Sequence, residues 1–420
     1  MMDDDLVQEI LSHRILHWNY RGYNALPDQL RDNGRHVEEL YLKMNMLTVL
    51  PVWLGELRNL TNLYLCQNRL ESLPEELCEM KSLEVLDISD NKLHELPVTI
   101  GLLPKLTTLF IMNNKITAFP PEIYMLPAIK IINGTGNLII NVEEICRCLT
   151  LEELYLDNNL LLCLPPKIVY MPKLKTLSVC RNNLLYLPSL PFISDVDISF
   201  NYNPSLNYIP YPLGCQITEN GIYSSEGEWD LRALGCSELT SETDYLPNLK
   251  ILLPSNDKLI MPLGLKCIES TLDIPRPPRL HEIAIQAVYQ TIYQQRLHIF
   301  RKKGKHIFHM TRTICRMPSY IKSLLAILNN NESKNLLLKG PVSICVGNEC
   351  NNPIFCYCIA WVIPKRVAYR LRASRETIFS TIFFCSHRCS NSFKQHLLSR
   401  NPELWEVELI NTSQSWKVIQ

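Results

Sequence analysis

From residue 40 the chain reads Leu40-x-Leu42-x-x-Asn45-x-Leu47-x-x-Leu50-Pro51, and the same skeleton returns as Leu63-x-Leu65-x-x-Asn68-x-Leu70-x-x-Leu73-Pro74. It recurs at Leu86, Ile88, Asn91, Leu93, Leu96 and Pro97, then at Leu109, Ile111, Asn114, Ile116, Phe119 and Pro120. A degenerate copy (Ile132, Gly134, Asn137, Ile139) precedes Leu154, Leu156, Asn159, Leu161, Leu164 and Pro165. The last clear copy holds Leu177, Val179, Asn182, Leu184, Leu187 and Pro188. Successive asparagines are 23, 23, 23, 23, 22 and 23 residues apart, and a shorter unit reads as ending at Asn201, 19 residues on. Leu16-x-Trp18 to Leu26-Pro27, with Arg21 at the asparagine position, reads as a first, capping coil. Units of this length cannot bury an apolar face alone, so they must stack.

The pattern is that of the leucine-rich repeat, an α/β solenoid with a curved parallel sheet, assigned to residues 1–210. Each Leu-x-Leu forms a short strand whose leucines point inward. The asparagine satisfies backbone groups of neighbouring coils, and the Leu-Pro step opens the convex side, where a missing N–H does no harm. The residues between the leucines then line the concave face. Tyr41, Tyr64, Asp87, Phe110, Asn133, Tyr155, Ser178 and Asp197 form one column; Lys43, Cys66, Ser89, Met112, Thr135, Asp157, Cys180 and Ser199 form the next. Aromatics exposed on a rigid sheet suit recognition of a protein, with Tyr41, Tyr64, Asp87, Phe110, Met112, Tyr155 and Asp157 as the binding candidates.

Lys plus Arg and Asp plus Glu are each 42 in 420 residues, which argues against a chain that coats nucleic acid along its whole length. The acidic start Met1-Met2-Asp3-Asp4-Asp5 lacks the apolar run of a signal peptide, and the longest apolar run, Ile354 to Ile363, is too short to span a bilayer. The 16 cysteines are therefore expected to be reduced thiols of a cytoplasmic, or also nuclear, protein with no membrane partner.

Residues 211–274 lose the repeat and read as a cap and linker. After Pro275, Pro277 and Pro278, the residues Leu280, Ile283, Ala284, Ala287, Val288 and Thr291 fall on one helical stripe. Met317-Pro318-x-x-Ile321-x-x-x-Leu325 starts a second apolar helix. Between them, Ile283 to Asn331 holds eight Lys or Arg and no Asp or Glu, centred on Arg301-Lys302-Lys303-Gly304-Lys305. That run reads as a solvated loop, with an anionic partner as the rival reading.

Cys345-x4-Cys350, two apolar strands (Ile354 to Ile363 and Thr377 to Phe384), Cys385-x3-Cys389 and a polar helix from Ser390 follow in residues 341–400. Four thiolates in two close pairs suit a structural, tetrahedral zinc ion, with His387 as a rival fourth ligand. The order of knuckle, hairpin and helix resembles a treble-clef zinc finger. Residues 401–420 form a tail. Gly-rich phosphate loops, His-Glu-x-x-His and Gly-x-Ser-x-Gly do not occur, so no catalysis is expected.

The two helices in residues 275–330 resemble a SOCS-box or VHL-box element. That resemblance implies that Leu280, Ala284 and Val288 insert into elongin C and that Met317, Pro318, Ile321 and Leu325 meet a cullin. Arg279 and Ala284 depart from the small residue and the cysteine usual there. The order of repeats, helices and four-cysteine module, with Cys345-Val346, Cys350, Cys385-Ser386 and Cys389, resembles the leucine-rich repeat-containing protein 58 family. The resemblance implies a substrate-recognition subunit of a cullin-RING ubiquitin ligase that docks elongin B/C and holds a protein substrate on the solenoid. The alternative is a signalling scaffold of the kind that collects kinases or small GTPases.

Overall fold

The computed structural model describes residues 2–190, 192–194, 196–206, 208–210, 250–252, 258–260, 266–267, 298–302, 305–309, 343–345, 350, 352–354, 357–366, 377–386, 388–392 and 417–419. The chain forms two compact units. The first comprises Met1–Leu161, Met171–Asn182 and Val196–Phe200; the second comprises Leu162–Tyr170, Asn183–Asp195 and Asn201–Gln420.

Nine three-residue strands build the first unit: β1 (Ile15–His17), β2 (Glu39–Tyr41), β3 (Asn62–Tyr64), β4 (Val85–Asp87), β5 (Thr108–Phe110), β6 (Ile131–Asn133), β7 (Glu153–Tyr155), β8 (Thr176–Ser178) and β9 (Asp197–Ser199). They pair in parallel and in sequence order, with Leu40 beside Leu63, Leu63 beside Leu86 and so on through the register. The central Leu or Ile of each strand and the residue two further on are buried, as at Leu63 and Leu65, both 0 % exposed. Period-2 alternation then turns the flanking residues to the opposite face.

The repeat asparagines work as the sequence implies. Asn68 Nδ2 donates to the carbonyls of Leu42 and Leu65, each at 2.9 Å, while its Oδ1 accepts the Leu47 N–H at 3.1 Å. The same set recurs at Asn91, Asn114 and Asn182. The residue before each asparagine is in the left-handed region: Met44, Gln67, Asp90, Asn113, Gly136, Asn158 and Arg181, with φ between 51° and 72°. Beyond it, Pro51, Pro74, Pro97 and Pro120 each precede a 3-10 turn on the convex side.

Two details depart from the sequence reading. The last unit ends at Asn203, not Asn201: Asn203 Oδ1 accepts the Leu184 N–H at 3.0 Å, and Tyr202 has the left-handed φ of 58°. Ser199, not Asp197, therefore stands beside Ser178. Both registers offer an apolar pair ahead of an asparagine, and the one that buries Phe200 (1 %) keeps the spacing nearer to 23. At the other end an unexpected helix, α1 (Met2–Ser12), covers the first coil. Arg21, at the asparagine position, turns to Glu9 of that helix at 2.6 Å and lies 5.6 Å over the Trp18 ring. A second short helix, α2 (Asp28–Asn33), follows on the convex side of that coil and buries Leu30.

The second unit holds a four-stranded sheet in the order β10 (Tyr208–Pro210), β19 (Thr377–Phe384), β18 (Tyr357–Arg366) and β13 (Lys266–Cys267). A three-stranded sheet joins β11 (Lys250–Leu252) to β12 (Lys258–Ile260) and to β20 (Lys417–Ile419) of the tail. The basic run, read from sequence as a loop, holds an antiparallel pair of strands, β14 (His298–Lys302) and β15 (Lys305–His309), with Lys302 opposite Lys305. The β-branched and aromatic residues Ile299, Phe300, Ile307 and Phe308 favour strands there. Short β16 (Ser343–Ile344) pairs with β17 (Pro353–Ile354). No helix among the described residues is long and apolar enough to cross a membrane.

Candidate functional sites on the concave sheet and at a four-cysteine cluster

On the concave face the structure places the sequence candidates in line. Tyr41 and Tyr64 stack at 4.5 Å between centroids, and His17 lies against Tyr41 at 4.8 Å. Asp87, Phe110 and Tyr155 continue that column on β4, β5 and β7, with Met112 and Asp157 two residues beyond. The sequence reading missed the column that starts each strand. Two of its members are glutamates that orient tyrosines: Tyr41 Oη donates to Glu39 at 2.7 Å, and Tyr155 Oη donates to Glu153 at 2.8 Å. The signal was the recurrence of Glu-Leu-Tyr at 39–41 and 153–155.

These contacts set the electrostatics. The hydrogen bond to Glu39, then burial, pushes the Tyr41 phenol up to about 12. Burial and Glu39 raise Tyr64, and burial and the Glu153 hydrogen bond raise Tyr155. Burial pushes the Cys66 thiol up to about 11, so it is protonated and poorly nucleophilic at neutral pH. Asp157 is already engaged: its Oδ1 accepts from Ser178 Oγ at 2.6 Å and from the Cys180 N–H at 2.7 Å. Asp87 Oδ1 accepts the Ser89 N–H at 3.0 Å. Both brace the strand ends as well as facing outward.

The four cysteines singled out by spacing come together. Cys345 follows β16 and Cys350 lies in the turn to β17; the Cys345 N–H closes this knuckle on the Asn352 carbonyl at 2.8 Å. Cys385 follows β19, and Cys389 lies in the helical stretch 388–392. Ser386 caps that stretch, its Oγ accepting the Cys389 N–H at 3.3 Å. All four Sγ atoms lie within 4.8 Å of one another, with Cys350 to Cys385 at 3.5 Å and Cys385 to Cys389 at 3.7 Å. A disulfide needs about 2.05 Å. Four thiolates at ~2.3 Å from one tetrahedral ion stand about 3.8 Å apart, so the set fits zinc. Hydrogen bonds with the other three thiols, then burial, hold Cys345 well above its usual range; hydrogen bonds with Cys345, Cys350 and Cys385 hold Cys389 well below. The N–H of Cys385 donates to Cys345 Sγ at 3.3 Å, a backbone contact of the kind that orients a metal-bound thiolate. His387 lies outside the described residues, as do Leu280, Ala284, Val288, Met317, Pro318, Ile321 and Leu325.

Residues 58–116 match the family model described as leucine rich repeat. No curated protein matches the chain. Among solved structures it is similar to a leucine-rich repeat protein of Leptospira interrogans, with TM-score 0.40 and 30% identity over 44% of this chain and 53% of that one. It is also similar to the ectodomain of an Arabidopsis thaliana membrane receptor kinase solved in complex with Casparian strip integrity factor 2 (TM-score 0.36, 30% identity, 38% of this chain, 20% of that one). A third is the leucine-rich repeat domain of the type III effector XopL (TM-score 0.36, 21% identity, 47% of this chain, 80% of that one). The chain thus spans about half of the Leptospira protein and a fifth of the receptor ectodomain. The strand register, the asparagine ladder and the family match together define a leucine-rich repeat protein with a second, cysteine-bearing unit.

Proposed function

We propose that the chain is a non-catalytic protein-recognition subunit whose concave sheet holds a protein partner. The observation that carries this reading is the row His17, Tyr41 and Tyr64, stacked on three adjacent strands of the concave sheet. A rigid aromatic platform gives contact area at low entropic cost. The finer role is substrate recognition within a cullin-RING ubiquitin ligase of the cytoplasm or nucleus. It is supported by the sequence of residues 280–288 and 317–325, where Leu280, Ala284 and Val288 would dock elongin B/C and Met317, Pro318, Ile321 and Leu325 a cullin.

In this reading the Cys345, Cys350, Cys385 and Cys389 cluster holds one structural zinc in a treble-clef-like module. The ion's role is to cross-link the knuckle to the β18–β19 hairpin. With four protein thiolates it has no open position for chemistry.

Co-purification from cells of wild type and Leu280→Asp, probed for elongin C and cullins, tests the ligase role. Elongin bound by wild type and lost in the variant, with an unchanged circular dichroism spectrum, is the expected result. Elongin absent from wild type overturns it and leaves the signalling-scaffold reading.

A further inference from the structure

Strand β1 is an edge of the nine-stranded sheet: among the described residues it pairs with β2 and with no other strand. Its ladder to β2 uses alternate residues. The Glu39 N–H donates to the Arg14 carbonyl at 3.2 Å, and the Trp18 N–H donates to the Tyr41 carbonyl at 2.8 Å. The N–H and C=O of Ile15 and His17 therefore point away from the sheet. Helix α1 packs against α2 and meets the first coil through the side chains of Glu9 and Ile10, and among the described residues no backbone hydrogen bond joins it to β1. Burial agrees. Ile15 and His17 are both exposed, Ile15 at 43 %, whereas the same two positions are half-buried on each of β2 to β7.

A row of unpaired N–H and C=O groups is a template for another strand, and edges are ordinarily blunted by lysine or proline. Ile15-Leu16-His17 has neither and begins with a β-branched residue. The nearest cation, Arg14, is paired with Glu38. The ring row is open at the same place. His17 and Tyr41 lie 4.8 Å apart, and Tyr41 and Tyr64 lie 4.5 Å apart, close to the ~4.8 Å spacing of neighbouring strands. Tyr41 has a ring on both sides, whereas among the described residues His17 has one on its Tyr41 side only. An added strand would set the side chain opposite His17 one step further along the row.

Resting on the concave-face reading, we propose that the protein partner adds an extended segment to the free edge of β1, with an aromatic side chain opposite His17 that lengthens the ring row and an apolar one opposite Ile15. The probe is a labelled peptide, Ser-Thr-Val-Thr-Tyr-Thr-Val-Thr-Ser, whose symmetric pattern fits either strand direction. Anisotropy with the full chain should show binding that weakens about tenfold when serine replaces the tyrosine. N-methylation of alternate amides should abolish binding in one phase and spare it in the other, because an edge pairs with every second amide. His17→Ala should erase the advantage of the tyrosine peptide over the serine peptide. Ile15→Pro deletes an outward N–H that β2 does not use, so it should abolish binding with an unchanged thermal melt. No binding by wild type up to millimolar peptide, a serine peptide that binds as well, equal effects of the two methylation phases, or an unaltered Ile15→Pro chain would each overturn the proposal. So would a concentration-dependent dimer that Ile15→Pro dissolves, since a second copy would then cover the edge. Tyr155→Ala, on β7 and far from this edge, separates the proposal from the broader reading. If Tyr155→Ala loses partners captured from cells while Ile15→Pro keeps them, the concave face still recognises protein and only strand addition falls.

Discussion

At the scale of single residues, the solenoid depends on polar groups more than its leucine count suggests. Asn114 has Nδ2 on the carbonyls of Ile88 and Ile111 and Oδ1 on the N–H of Leu93, all in the buried interior. Asn114→Ala would strip partners from three buried backbone groups, each costing about 1–3 kcal/mol when left unmade. The expected loss is about 3 kcal/mol, read as a lower urea midpoint with unchanged slope. Close packing makes a different demand at Gly101. A Cβ there would sit 2.3 Å from the backbone carbonyl oxygen of Glu122 in the next coil. Gly101→Ala should cost about 1–3 kcal/mol, whereas Thr117→Ala, at an exposed position, should leave the melt unchanged. The asparagine spacing made the first of these roles legible in sequence. The second was not, because a glycine in a convex turn looks the same whether it meets solvent or a neighbouring carbonyl.

At the scale of elements, the strands were legible and the ends were not. A Leu-x-Leu every 23 residues has one economical reading, and the register confirms it from β2 to β8. The final strand had two readings, two residues apart, that only the Asn203 hydrogen bond distinguishes. α1 lacked a repeat to announce it. It is held by Ile10, which is fully buried, and by Glu9, which receives Arg21 and Trp18 Nε1. The hydrogen bond from Arg21 lowers the Glu9 pKa below its ordinary value against a smaller opposing effect of burial. A carboxyl with a depressed folded pKa contributes stability above its unfolded pKa and loses it as pH falls through the folded value. Wild type should therefore melt above Glu9→Gln at pH 7, and the difference should close as pH falls below about 4. A gap that persists at pH 3 would mean that Glu9 supports α1 through contacts that do not depend on its charge. The cysteine module was legible in its two pairs and two strands. The capping of its helix by Ser386 could be read only as a motif, since a serine lying between two candidate ligands has several uses.

At the scale of the whole molecule, stacking makes the solenoid a nearest-neighbour system in which a coil is only as firm as the contacts on its two sides. Interior coils have two neighbours; the terminal ones need something else. At the start that is α1. The final convex segments, Leu162–Tyr170 and Asn183–Asp195, belong instead to the second compact unit, with the cysteine cluster. Within that unit Ser343 Oγ, two residues before Cys345, donates to the Ser189 carbonyl at 3.5 Å, and β10 runs parallel to β19, which ends just before Cys385. A zinc ion binding the folded cluster and not the unfolded chain would stabilise everything that unfolds with it. The expected zinc content is one per chain, lost in Cys385→Ser. Removal by a chelator should speed hydrogen exchange in 183–195 and 208–210 while the amides of β3 to β6 keep their protection, because those coils are bounded by neighbours of their own kind. Chelation that loosens β3 to β6 to the same extent would show that the two units unfold as one. Unchanged exchange in 183–195 would show that the last coils stand without the metal. Mass spectrometry of the native chain before and after chelation, followed by exchange on both samples, decides among the three.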